Sequence, residues 1–189
     1  MVHDFNERLK SSKDMSVVKP ALDWLLGEIP GALKYYEAET TDDKRGVDYW
    51  YQMENGTRAG VDLKKRDRPF PGDVCVEICS VYKGSTGDPM EYLAWYDPNK
   101  CEAIGWSVDM DKITDIVLFS WAAGTNMGPH YWKSNFSQFR QIAMKNWEIW
   151  ASAYGLRGAR NRGYVTLCVF PPMAIVEELL ADAHDEEPE

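Results

Sequence analysis

The sequence predicts an α+β domain, α/β-like in its alternation, built around one mixed sheet. Three observations carry this expectation. A stretch with apolar residues at helical spacing comes early, three strand-like segments follow it, and helical and strand signals then mix to the end.

Val17, Val18, Leu22, Leu25 and Leu26 recur at helical spacing, which predicts a helix over 15–28; a shorter one is expected over 4–10. Pro20 is awkward inside the longer span and suits its start, while Gly27 and Pro30 end it. Residues 33–38 read as a first strand and 40–46 as a polar loop. Aromatic-rich 47–53 reads as a second strand, Glu54-Asn55-Gly56-Thr57 as a hairpin turn, and 58–66 as the returning third strand. Pro69, Pro71 and Gly72 then break the chain. Residues 73–81 alternate, with Val74, Val76 and Ile78 on one face and Cys75, Glu77 and Cys79 on the other. Loop with a short helical turn is expected over 82–100, a buried strand over 113–121, a helix over 135–154, a strand over 163–170 and a short helix over 173–181. No internal repeat or low-complexity linker interrupts the series.

A length of 189 residues with 44% hydrophobic content favours one domain with a sizeable core, expected over 1–176. The remaining stretch, 177–189, is an acidic tail expected to fray. The formal net charge of −9 argues at first against a nucleic-acid partner, but its distribution matters more. Residues 177–189 hold seven of the 30 acids and no Lys or Arg, leaving 23 acids against 21 bases in the body. Modest non-specific DNA binding is therefore compatible with the charge. No signal-peptide core or long apolar run is present, so a cytoplasmic protein without a membrane partner is expected. The four cysteines lack CxxC spacing. Buried reduced thiols are expected over a zinc site at Cys75 and Cys79, because no paired Cys/His motif accompanies them. Absence of GxGxxG, GxSxG and GKS/T patterns removes support for nucleotide-cofactor enzymes, nucleophile-elbow hydrolases and P-loop NTPases.

Chemistry concentrates at Gly46-Val47-Asp48 and Gly60-Val61-Asp62-Leu63-Lys64. Residues two apart on a strand share a face, so Asp62 and Lys64 project together. Asp48 on the neighbouring strand can supply a second carboxylate. Two hard oxygen donors leave positions for water and a phosphate oxygen, a set that suits Mg²⁺ or Mn²⁺. An Asp at the start of the second strand, a hairpin, and then (D/E)-x-K on the third strand resembles the signature of the PD-(D/E)XK nuclease superfamily. Here it reads Asp48, 13 intervening residues, then Asp62-Leu63-Lys64. The stretch GVDYW…NGTRAGVDLKKR is also similar to uncharacterised phage proteins assigned to that superfamily. Two departures stand out: no Pro precedes Asp48, and Asp62 stands where Glu is commoner.

The resemblance implies a restriction-endonuclease-like αβββαβ core, followed here by a C-terminal helix-strand-helix extension. It implies that Asp48 and Asp62 bind the metal and that Lys64 assists a metal-activated water attacking a DNA phosphodiester. The alternative is a non-catalytic protein on the same fold that binds DNA or a protein partner, such as a phage counter-defence factor. Glu77 is a candidate third metal ligand, weighed against a salt-bridged carboxylate. Lys65, Arg66, Arg68, Arg157, Arg160 and Arg162 are candidate phosphate contacts, weighed against a solvated charged face. Glu7, Asp14 and Glu37 are candidate supporting carboxylates. Trp106, Trp121, Trp132, Trp147 and Trp150 read as core before they read as base-stacking platforms, and His130 as an incidental loop residue.

Strand parity makes the site testable. A two-residue loop at Asn55-Gly56 would pair Met53 with Arg58 and set Asp62 opposite Tyr49, sending the two carboxylates to opposite faces. A three-residue loop with a glycine bulge at Gly56 sets Asp62 opposite Asp48. The site requires that bulge, or an equivalent kink near Asp48.

Overall fold

The computed structural model describes residues 15–125, 127–161 and 163–185. The expected helix over 4–10, with Glu7 and Asp14, lies outside the described residues, as do Arg162 and residues 186–189. The chain is a mixed α+β protein with parallel and antiparallel strands. It holds two sheets where one was expected, and divides into two compact units, the first from residues 15–71 and 111–137, the second from 72–110 and 138–185.

In the first unit, helix α1 (Met15–Glu28) precedes strand β1 (Ala32–Glu37), one helical turn α2 (Thr40–Asp43), β2 (Tyr49–Met53) and β3 (Arg58–Arg66). Helix α1 runs through Pro20 rather than starting at it. Strands β6 (Ile116–Trp121) and β7 (His130–Asn135) complete a five-stranded sheet of order β1-β2-β3-β6-β7. All neighbours are antiparallel except β3 and β6, which are parallel. One sheet face is closed by α1. Val18, Ala21, Leu22 and Leu25 pack with Tyr49, Tyr51, Val61 and Leu118 in a continuous apolar cluster. Each fully buried Leu contributes about 1.5–3 kcal/mol. The Tyr51 hydroxyl, taken into that cluster, donates to the Leu22 carbonyl at 2.9 Å, so its burial leaves no polar atom stranded.

In the second unit, β4 (Val76–Tyr82), β5 (Cys101–Ile104), β8 (Arg157–Asn161) and β9 (Tyr164–Val169) form an antiparallel sheet of order β5-β4-β9-β8. Two short 3-10 turns, Pro89–Ala94 and Pro98–Lys100, lie between β4 and β5. Helix α3 (Phe136–Tyr154) enters this unit from the first, and α4 (Met173–Asp185) follows β9. Trp106 and Phe139 stack at 5.9 Å, and Tyr82 gathers Trp95 and Tyr96 around it.

Several expectations need correction. The connection from β3 to parallel β6 contains β4, the 3-10 turns and β5, and no α-helix, where an αβββαβ order implies one. The C-terminal extension is helix, hairpin, helix, because Arg157–Asn161 forms a further strand beside β9. Helix α4 continues past Ala181 into the expected tail as far as Asp185. Strand β4 starts at Val76, and register shifts around Cys79 break the expected alternation, so that Ile78 and Cys79 are both buried. Cys79 is joined to Cys101 by a disulfide, not held as a reduced thiol; Cys75 and Cys168 are buried. His130 begins β7 instead of standing in a loop. Trp106, Trp121, Trp132 and Trp150 are buried in the core. No helix among the described residues is long and apolar enough to cross a membrane.

Candidate active site

The hairpin between β2 and β3 sets the geometry. Gly56 N–H donates to the Met53 carbonyl at 3.0 Å and Met53 N–H to the Thr57 carbonyl at 2.9 Å, enclosing three loop residues. Gly56 holds φ at +82°, a left-handed conformation that a side chain disfavours. Asn55 Oδ1 accepts from both Thr57 N–H and Thr57 Oγ1, locking the turn. This is the three-residue loop with a glycine bulge. Tyr49 pairs with Val61 and Trp50 with Gly60, the register of the three-residue loop; Asp48 lies in the bend just before β2. Val61 and Leu63 face α1. Asp62, Lys64 and Arg66 alternate with them and take the other face.

Asp48 itself precedes β2 and is placed by the turn after α2. Gly46 reverses the chain at φ +91°, and its carbonyl accepts from the buried Thr114 hydroxyl at 2.5 Å. Val47 N–H donates to the Asp42 carbonyl, and the Val47 side chain is fully buried. Asp48 N–H then donates to the Val61 carbonyl at 2.9 Å, while its Oδ2 accepts from Leu63 N–H at 2.8 Å. The carboxylate thus takes a β3 amide and is fixed beside Asp62.

Asp62 is buried, at 3% exposure, although it is a carboxylate. Its Oδ1 lies 2.7 Å from Lys64 Nζ. Asp48 is half-buried, and burial pushes its carboxyl up to about 7. The like charge of Asp62 adds to that rise; the Lys64 ammonium and the Leu63 amide oppose it. Two carboxylates and one ammonium therefore hold an excess of negative charge in a poorly hydrated place. That excess and the all-oxygen donor pair fit a hard divalent cation with open positions for water and phosphate. Among the described residues no group of three or more His, Cys, Asp or Glu converges, so the carboxylates gathered here are Asp48 and Asp62.

The other candidates divide. Arg66 shares the face of Asp62 and Lys64. Lys65 shares the opposite face with Leu63 and pairs with Asp67 at 2.5 Å. Arg68 is exposed in the following loop, where its carbonyl accepts from Ala122 N–H. Glu77 lies on β4 in the second unit, where its Oε1 accepts from the Ser80 hydroxyl at 2.5 Å. Arg157 and Arg160 are exposed on edge strand β8 of the same unit, Arg157 lying over Phe170.

Four supporting residues were not singled out in the sequence. Thr114 pins Gly46, and Asp115 Oδ2 accepts from Gly60 N–H at 2.7 Å at the head of the β3–β6 pair. Asp42 accepts from Trp50 Nε1 at 3.0 Å, and the Arg58 guanidinium lies 3.8 Å over the Trp50 ring on the Asp62 face. Thr114 and Asp115 act across separations of 68 and 55 residues, which no local pattern announces. Asp42 lay within a polar stretch that read as loop. No family model, curated protein or solved structure matches the chain.

Proposed function

We propose that the chain is a Mg²⁺- or Mn²⁺-dependent deoxyribonuclease of the PD-(D/E)XK type, its restriction-endonuclease-like core formed by α1, β1–β3 and β6. The observation that carries this reading is Asp48, bonded to the Leu63 amide, standing close enough to Asp62 to feel its charge, with Lys64 Nζ 2.7 Å from Asp62. Asp48 and Asp62 would hold the cation, which when bound polarises a phosphate oxygen and lowers the pKa of water. Lys64 donates hydrogen bonds to an incoming water or to the charge growing on the phosphate, and removing such a donor costs about 10²–10³ in rate. Arg66, on the same face, is placed to hold a neighbouring phosphate. Burial of Asp62 keeps these charges poorly screened, which strengthens each contact with a polyanion.

Cleavage assays test the reading. With Mg²⁺ or Mn²⁺ the chain should cut single-stranded, duplex or branched DNA, and Asp62→Asn and Lys64→Ala should each lose at least about a hundredfold in rate. A second reading, a non-catalytic nuclease-fold protein that binds DNA or a protein, is favoured by the net charge of −9. Folded, metal-saturated protein that cuts none of the three DNA forms would establish it over the first.

A further inference from the structure

The Asp62 side chain is 4% exposed and meets Lys64 at 2.7 Å, whereas Lys64 keeps 21% of its own side chain in solvent. Burying a carboxylate so deeply is costly without a cation against it, and Lys64 supplies that cation. Asp48 brings a second negative charge close to Asp62, with one oxygen committed to the Leu63 amide. Lys64 therefore already performs, with one positive charge, the neutralisation that a divalent ion would perform with two. An ion held between the carboxylates would lie within a few ångströms of the ammonium, and like charges at that spacing repel strongly where water is scarce.

Resting on the metal-dependent reading above, we infer that Lys64 is the resident counter-ion of Asp62 and that divalent binding displaces its ammonium toward solvent. Ion affinity is then set by competition with Lys64, and not by the carboxylates alone. Lysine suits this role because its point charge rides on a flexible four-carbon stem and keeps three donors wherever it swings. The partly exposed stem gives it somewhere to go. A displaced ammonium keeps its donors for a phosphate or a water. One side chain thus serves the empty fold as a neutralising charge and the loaded site as a donor.

Mn²⁺ binding without DNA, followed by calorimetry and by the electron paramagnetic resonance of the unbound ion, tests this on the full chain. Lys64→Met keeps the apolar stem and removes the charge. It should bind Mn²⁺ at least about tenfold more tightly than the unaltered protein. Lys65→Met removes an equal charge one residue away, from the opposite sheet face. Its affinity should change by less than about twofold, because that charge lies on the opposite face and is already paired with Asp67. Thermal melts establish that each variant is folded, and Lys64→Gln replaces Lys64→Met if the latter is not. Unchanged or weaker binding by the Lys64 variants, or equal tightening in Lys65→Met, overturns the displacement. Binding that is lost in Asp62→Asn yet unaltered in Lys64→Met sinks this inference alone. No Mn²⁺ binding by the unaltered protein or by any Lys64 variant sinks the nuclease reading with it.

Discussion

Replacing Asp48 with Asn isolates the cost of holding a second negative charge beside Asp62. In the folded chain burial lifts the Asp48 carboxyl from 3.8 to about 7, so the folded state binds this proton more tightly than the unfolded state does. The direction of the pH effect follows. Below the unfolded value of about 4 the group costs nothing, and between about pH 4 and 7 its ionisation increasingly destabilises the fold. Above about pH 7 the loss is complete. A rise from 3.8 to about 7 sets an upper bound of about 4 kcal/mol. Half-burial, with the partial compensation by Lys64 and the Leu63 amide, reduces the expected cost to about 2 kcal/mol. Asn cannot ionise but keeps an oxygen for the Leu63 amide. Urea unfolding of both proteins from about pH 4.5 to about pH 8 should therefore show Asp48→Asn gaining stability over the original as pH rises, with a plateau above about pH 7. At the alkaline end, Mg²⁺ at a hundredfold excess over its Kd should stabilise the original by about 2.7 kcal/mol and the variant much less. A stability gap independent of pH, or one that widens toward acid, would refute the reasoning.

Gly46→Ala should destabilise the first unit by about 1–3 kcal/mol, read by thermal melting. Its φ of +91° disfavours a side chain, and a Cβ there would stand 2.6 Å from the Lys112 stem. Weaker Mn²⁺ binding should accompany that loss, because the turn at Gly46 delivers Asp48. Arg58→Ala removes the guanidinium from the Trp50 face and should cost about 0.5–1 kcal/mol in urea unfolding, with hairpin register retained. Cys101→Ser opens a bridge between residues 22 apart in sequence and should cost about 3 kcal/mol without reductant. Dithiothreitol should erase that difference.

What could be read from the residues was local. Arg58–Arg66 was bounded correctly because Asn55-Gly56 marks the turn and aromatic residues mark the preceding strand. Parity then made loop length testable, and the Tyr49–Val61 register has the three-residue form. The strands that escaped notice share a different physics. Cys101–Ile104 is four residues long, and Arg157–Asn161 is an exposed, arginine-bearing edge, so neither carries enough apolar residues to stand out. His130–Asn135 follows Gly128-Pro129, whose turn character masks the strand start. The second sheet was hidden for another reason. Alternation in β4 signals a strand but does not name its partner, and β9 lies some 90 residues farther along. Likewise no spacing rule brings Cys79 to Cys101, or Thr114 to Gly46.

The parallel seam between β3 and β6 joins residues 61–66 to 116–121 across the whole of β4 and β5. A chain growing on the ribosome therefore carries Asp48, Asp62 and Lys64 well before their sheet can close. Until Trp121 has emerged, the outer rim of β3 is bare, its amides and carbonyls open to any passing strand. Such long-range closure makes for slow maturation and a window of stickiness during synthesis. A shortened version ending before Ile116 would possess every candidate catalytic group and still lack the neighbour that holds β3 in place.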